Sequence, residues 1–161
     1  MTTIAFRDGI LAADSQVTVN TEAGGSTKHR CAKLFRKTIK QGRKSFDVII
    51  ATAGASSPGS MFVDWYGSGE PIPKMLELHG GDFTCLVLAP HGLYEVDMYC
   101  FPEPILDKFY AVGSGRKEAL AAMHCGKSAR EAVEIASRID PYTGGAITTM
   151  TLTPKATKAK A

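Results

Sequence analysis

Cysteine is scarce in this sequence, and its spacing matches neither a disulfide framework nor a zinc site. The four cysteines lie far apart without a Cys-x-x-Cys pair: they are Cys31, Cys85, Cys100 and Cys125. No run of basic and then apolar residues typical of a secretory leader precedes them. Reduced thiols are the simplest interpretation, so we expect a cytoplasmic protein.

Metal-ligand spacings and long apolar runs are lacking as well. The longest apolar stretch, around residues 48–51, is far shorter than the ~20 residues that span a bilayer. The histidines also stand too far apart to form a typical metal motif: they are His29, His79, His91 and His124. We therefore expect no metal, no cofactor and no membrane partner.

An excess of positive charge is confined to the end of the chain. The 161 residues include 19 basic and 16 acidic ones, and three of the lysines lie within residues 155–161. Without those three, basic and acidic residues are equal in number. We expect one domain over residues 1–153, a flexible basic tail over 154–161 and no nucleic-acid partner. A nucleic-acid interaction through the tail is the weaker alternative.

The first residues carry a functional signal. Thr2 follows Met1 directly, and a small second residue permits removal of the initiator methionine. Thr2 would then hold a free α-amine and a β-hydroxyl together. Since an unperturbed α-amine titrates near ~7.7–8.0, it could accept the hydroxyl proton without a histidine. On these residues alone, an ordinary first strand is the simpler interpretation.

The hydrophobic pattern predicts antiparallel sheets with two groups of helices. Asp8-Gly9 between two apolar runs predicts a hairpin that brings Thr2 and Asp14 to one site. A capping box, Ser128 to Glu131, predicts the start of the last helix. The order of elements excludes a regular βαβ alternation. Further strands are predicted at residues 32–39, 46–53, 83–89, 93–99, 109–112 and 146–152, with helices after residues 57 and 115, and a helical turn at 74–78.

Three further motifs each have a functional and a structural interpretation. Ser114, between Gly113 and Gly115, could help a helix N-terminus hold an anion, or could cap a tight turn. The small residues 51–54 could expose backbone N–H groups as an oxyanion hole, or could form a crowded strand end. Asp140 and Thr143 could act as a carboxylate and hydroxyl pair, or could form an Asx-type turn.

Taken in order, the motifs resemble the proteasome β-subunit superfamily and, within it, the HslV-like peptidases. The resemblance covers nearly the whole chain except the tail. It implies an α+β fold, the four-layer αββα sandwich of two antiparallel sheets between helical layers found in N-terminal nucleophile hydrolases. The motifs are Thr2-Thr3-Ile4, Ala12-Ala13-Asp14-Ser15-Gln16-Val17-Thr18, Lys33-Leu34, Ala51-Thr52-Ala53-Gly54, Gly113-Ser114-Gly115 and Asp140-Pro141-Tyr142-Thr143-Gly144.

The resemblance implies a threonine peptidase that cleaves unfolded proteins or peptides by acyl transfer inside a homo-oligomeric ring. It leaves an ATPase unfoldase as a candidate partner. Thr2 would be the nucleophile and, through its amine, the general base, and Asp14 would orient a cation beside it. Ser114, Asp140 and Thr143 would hold the amine and pass protons.

Substrate-binding residues are implied in the same way. The N–H group of Gly54 would bind the oxyanion, and Thr52 would line the pocket for the residue before the cut, making that residue small to medium. Thr18 and Ser56 would pair with the substrate backbone.

The active-site cation departs from the family pattern. Counted back from the Leu of Lys33-Leu34, the family's lysine falls on Arg30, which Lys28 and Lys33 flank. A cation beside the amine would lower its pKa, but arginine cannot release a proton as lysine can. Arg30 therefore raises an alternative, a catalytically inactive structural ring subunit of the same fold.

Overall fold

The computed structural model describes residues 2–20, 24–72 and 83–152. Met1, the predicted helical turn at 74–78 and the predicted tail at 154–161 lie outside these residues. No helix in the described ranges is long and apolar enough to cross a bilayer.

The predicted N-terminal hairpin forms the centre of a four-stranded antiparallel sheet. Strand β1 (Thr3–Arg7) pairs with β2 (Ile10–Ala13) through a turn in which Asp8 and Gly9 both have positive φ, at 52° and 76°. That conformation is the one a type I′ turn requires. The other two strands flank the hairpin in the order β10-β1-β2-β11, where β10 is Phe109–Gly113 and β11 is Thr148–Thr151.

A second antiparallel sheet has five strands that follow one another along the chain. Its edge strand, which contains Pro102 and Pro104, was not predicted from the sequence. An edge strand tolerates proline, since the missing N–H group can face away from the neighbouring strand. The five strands are β5 (Leu34–Gln41), β6 (Lys44–Gly54), β7 (Phe83–Ala89), β8 (Gly92–Val96) and β9 (Pro102–Ile105).

A separate two-stranded sheet, β3 (Gln16–Asn20) with β4 (Ser26–Arg30), was also not predicted. Every side chain of β4 is exposed. The strand therefore has no alternation of apolar and polar residues, which is the main signal for a strand in sequence.

Three helices complete the described fold: α1 (Ser56–Trp65), α2 (Arg116–His124) and α3 (Ala129–Ile139). The predicted capping box at the start of α3 is confirmed. The Ser128 hydroxyl accepts from the Glu131 N–H group, and the Glu131 carboxylate accepts from the Ser128 N–H group at 2.9 Å. The Ser128 backbone bond is the main reason that the pKa of Glu131 is lowered to about 2.

Three hydrophobic clusters join these elements. Ile4 and Leu11 pack against Ile49 of the five-stranded sheet, so one cluster lies between the two large sheets. Because successive strand residues point to opposite faces, Ala5 and Ala12 pack instead with α2 and α3. The outer face of the five-stranded sheet packs against Phe62 of α1. The strand ends between these layers are where the site forms.

The capping box predicts a measurable stability difference on one helix. Ser128→Ala removes the side-chain acceptor and should lower the free energy of unfolding by about 1 kcal/mol in urea denaturation. Ser137→Ala is the matched control, because the Ser137 hydroxyl bonds to the Glu134 carbonyl within the helix and caps nothing. An equal loss in both variants would show that the cap does not stabilise α3.

Candidate active site

Antiparallel pairing brings three chain segments together at one end of the four-stranded sheet, where its strands begin or finish. Thr3 of β1 lies opposite Gly113 of β10, and Ile4 lies opposite Ala13 of β2. The same end of the sheet therefore holds Thr2 before β1, Asp14 after β2 and Ser114 after β10. The hairpin prediction that Thr2 and Asp14 share one site is confirmed.

The Asp14 carboxylate is the centre of the hydrogen-bond network at this end of the sheet. Its Oδ1 atom accepts from the Thr2 hydroxyl at 2.6 Å, from the Thr3 N–H group at 2.9 Å and from Lys33 Nζ at 2.8 Å. Its Oδ2 atom accepts from the N–H groups of Gln16 at 3.1 Å and Gly144 at 3.0 Å. The side chain is fully buried, so these five donors replace its hydration.

Lys33 is the cation of the site and is itself buried, with its side chain 5% exposed. Its ammonium also donates to the Gln16 carbonyl at 2.6 Å. Burial lowers the pKa of Lys33, and the hydrogen bond and charge of Asp14 oppose that effect without reversing it. The backbone of Lys33 is also held in place, because the Thr52 N–H group donates to the Lys33 carbonyl.

Arg30 does not occupy the predicted cation position, and this assignment is corrected. It lies on β4 opposite Gln16, is exposed, and lines an open cavity of about 230 Å³ rather than the Thr2 site. Lys33, which lies between β4 and the start of β5, makes the contact with Asp14 instead. A lysine between Ala32 and Leu34 was the available signal, and counting from the family motif missed it.

A second hydrogen-bonded network lies on the other side of Thr2. Asp140 Oδ2 accepts from the hydroxyls of Ser114 and Thr143, each at 2.6 Å. The Ser114 N–H group donates to the Thr2 carbonyl at 2.8 Å. The three residues predicted from the separate motifs thus form one network through Asp140, and Ser114 joins this network to Thr2. Burial raises the pKa of Asp140, but these hydrogen bonds outweigh it and lower the pKa overall.

Thr3 also belongs to this network, although it was not predicted as a site residue. Its fully buried hydroxyl lies 2.6 Å from the Thr143 hydroxyl, so β1 is linked through Thr143 to Asp140. The segments that carry Thr2 and Thr3 pass so close to Gly113 and Gly115 that neither position has room for a side chain. A Cβ atom on Gly113 would lie 1.9 Å from the Thr2 carbonyl oxygen, and one on Gly115 would lie 2.3 Å from the Thr3 hydroxyl.

A cavity of about 150 Å³ opens beside Thr2. Of the predicted substrate-binding residues, Thr52, Gly54 and Ser56 line it, whereas Thr18 does not. Thr18 lies on β3, where its hydroxyl accepts from Gln16 Nε2 at 3.3 Å. The full lining is Thr2, Val17, His29, Cys31, Ala32, Lys33, Phe35, Thr52, Ala53, Gly54, Ala55, Ser56 and Ser60.

Comparison with protein-family models and with curated proteins finds no match to this sequence. Among solved structures, the chain is similar to the crystal structure of eukaryotic HslV from Trypanosoma brucei. The two share 16% sequence identity and a TM-score of 0.58, over 92% of this chain and 97% of that one. The chain has an HslV-like fold. The resemblance to that family is thereby confirmed for its mixed α and β architecture.

The HslV-like fold holds a hydroxyl, a carboxylate and an ammonium group in direct contact at the edge of a cavity. Such a set can activate a hydroxyl for attack on a carbonyl carbon and can stabilise negative charge that develops there. Among the described residues, no group of three or more histidine, cysteine or acidic side chains could hold a metal ion.

Replacing Lys33 and Arg30 in turn should show which of these two cations is the buried partner of Asp14. Lys33→Met leaves the Asp14 charge buried without its partner, which typically costs roughly 3–5 kcal/mol of unfolding free energy. Arg30→Met, the matched control on the exposed strand, should change stability by no more than about 0.5 kcal/mol. Urea denaturation measures both, and equal losses would contradict the assignment of Lys33.

The Asp140 network predicts a dependence of stability on pH. Because its pKa is lower in the folded chain, Asp140 stabilises the fold above the ordinary carboxyl value of about 3.9, and this contribution is lost as the pH falls through the lowered value. Asp140→Asn should therefore lose less unfolding free energy than the wild type between about pH 6 and pH 3. The exposed Asp107→Asn is the control, and identical pH profiles for wild type and Asp140→Asn would refute the prediction.

Proposed function

We propose that this chain is a threonine peptidase of the N-terminal nucleophile hydrolase type, with a four-layer αββα sandwich. One observation carries the proposal: Thr2 Oγ1 and Lys33 Nζ both bond to Asp14 Oδ1, at 2.6 and 2.8 Å, beside a cavity of about 150 Å³. The HslV-like fold supports it.

The reaction proceeds by acyl transfer to Thr2 after Met1 is removed. The free amine of Thr2 takes the hydroxyl proton, and Oγ1 attacks the carbonyl carbon of the scissile peptide bond. The protonated amine then gives its proton to the leaving nitrogen, the C–N bond breaks and an ester with Thr2 remains. Water then loses a proton to the same amine and attacks the ester carbon. The C–O bond to Thr2 breaks, the protonated amine returns its proton to Oγ1, and the acid product leaves.

Lys33 supplies the electrostatic part of this mechanism. Its ammonium shares a carboxylate oxygen with the Thr2 hydroxyl, so its positive charge stabilises the alkoxide that forms during attack. The same charge penalises a second positive charge on the nearby amine of Thr2, which keeps more of that amine in its basic form. Asp14 holds both groups in place.

The remaining residues position the amine and the substrate. Ser114, Asp140 and Thr143 hold the Thr2 amine and pass protons, as their shared hydrogen bonds to Asp140 support. The N–H group of Gly54 binds the oxyanion.

The cavity beside Thr2 receives the residue before the cut. Thr52 is among its lining residues, which favours a small to medium side chain. Ser56 at the cavity and Thr18 on the neighbouring strand pair with the substrate backbone.

We also propose that copies of the chain form a closed homo-oligomeric ring that encloses polypeptide substrates in the cytoplasm, with an ATPase unfoldase as a candidate partner. Large exposed apolar side chains support a protein contact, since Tyr99, Phe101 and Leu106 are 75%, 78% and 93% exposed. Phe101 and Leu106 flank the edge strand β9, and Tyr99 lies shortly before it. All three are far from Thr2 in the sequence.

The alternative of an inactive structural subunit was motivated by Arg30 in place of lysine. That motivation no longer holds, because Lys33 makes the contact with Asp14 that Arg30 was expected to make. We therefore propose the active peptidase as the better supported function.

A covalent probe tests the proposed nucleophile. Incubation with a peptide epoxide or vinyl sulfone should add one probe to Thr2, located by peptide mass spectrometry, because only this hydroxyl has an adjacent amine as its base. Thr2→Ser should still react and Thr2→Ala should not, whereas the exposed Thr149→Ala should react like the wild type. If the wild type forms no adduct, the proposal is overturned in favour of the structural subunit. If Thr2→Ala still forms the adduct, Thr2 is not the nucleophile and the proposal is overturned as well.

A further inference from the structure

We propose that the site selects peptides with an acidic side chain, because Lys28 and Arg30 of strand β4 line an open cavity next to the Thr2 cavity and none of the described residues that line it is acidic. This inference rests on the proposed peptidase function and adds the class of substrate. The residues concerned are Lys28 and Arg30, which lie two positions apart on a fully exposed strand and therefore on the same face of it.

Two cavities meet at His29. One is the cavity of about 150 Å³ beside Thr2, and the other is the open cavity of about 230 Å³ lined by Gln16, Lys28, His29, Arg30 and Gly145. Val17 lies opposite His29 in the β3–β4 pair and also lines the Thr2 cavity. A peptide bound at Thr2 that extends past His29 therefore reaches the open cavity and its two cations.

The charge around these cavities is unbalanced. Neither cavity has an acidic residue among the described residues that line it. Lys33 is already neutralised by Asp14, so the excess charge comes from Lys28 and Arg30. Arg30 makes no ion pair with any described residue, and Lys28 donates one hydrogen bond, to the Pro141 carbonyl at 3.2 Å. An ammonium has three donors, so the contacts among the described residues leave two of them for a ligand.

A carboxylate satisfies this arrangement better than any other side chain of a peptide. The planar guanidinium of Arg30 can bind a carboxylate through two parallel hydrogen bonds, and an ammonium can add a third. The space also suffices, since the open cavity measures about 230 Å³ and one of about 150 Å³ already holds a molecule the size of benzene. A lysine or arginine in the same place would meet like charges.

Equilibrium binding tests the preference without requiring catalysis. Three short dye-labelled peptides, identical except for Glu, Gln or Lys at the centre, are titrated with the Thr2→Ala protein and followed by fluorescence anisotropy. The Glu peptide should bind tightest and the Lys peptide weakest. Each exposed cation should contribute up to about fivefold in affinity, and the difference should shrink as salt is raised.

Variants of β4 locate the preference. Arg30→Gln in the Thr2→Ala background should reduce the ratio of Glu to Gln affinity by up to about fivefold. Arg43→Gln is the matched control, since Arg43 is an exposed cation in the turn at the opposite end of the β5–β6 hairpin. It should leave the ratio unchanged.

Several outcomes would overturn the inference. Equal affinities, tighter binding of the Lys peptide, or no detectable binding of the Glu peptide would each do so, as would stronger competition by an oligonucleotide than by the Glu peptide. None of these results depends on acylation. A failed preference with a Thr2 adduct in the probe experiment would reject the substrate class alone, whereas a preference without an adduct would reject the peptidase and retain the anionic ligand.

Discussion

The buried ion pair between Lys33 and Asp14 is the constraint on which the rest of the site depends. A carboxylate with no exposed surface is tolerated only when nearby donors replace its hydration, and Asp14 has five. Those donors come from segments far apart in sequence. Thr2 precedes β1, Gln16 begins β3, Lys33 precedes β5, and Gly144 follows α3. One side chain thus fixes the relative positions of the strand ends that form the site.

The same pair gives the site its chemistry. If the pair served stability alone, well-packed apolar residues of the same volume would do as well or better. Here the shared oxygen of Asp14 also accepts from the Thr2 hydroxyl, so the charge of Lys33 is held beside the atom proposed to attack. The Asp140 network on the other side holds the Thr2 carbonyl through Ser114. The proposed nucleophile is therefore positioned before any substrate arrives, which is the arrangement that electrostatic catalysis requires.

Local signals in the sequence predicted the local features of the structure. Asp8-Gly9 predicted the first hairpin, and Ser128 with Glu131 predicted the start of a helix, because each depends only on neighbouring residues. The cation was missed because the contact between Lys33 and Asp14 joins residues 19 positions apart, and the exposed strand β4 between them has no apolar pattern. Thr3 was missed for a similar reason, since its partner Thr143 lies at the far end of the chain. Such contacts follow from how strands pair, which no local motif records.

The central claim is that Thr2 acts through its own amine, and it requires Thr2 to be the first residue of the mature chain. Intact mass spectrometry of the protein, expressed in a bacterial host that removes initiator methionines, tests this most directly. The expected result is a mass lower than that of the full sequence by one methionine residue, with Thr2 as the first residue on N-terminal sequencing. A chain that quantitatively retains Met1 would contradict it, because an amide nitrogen at Thr2 cannot serve as the base.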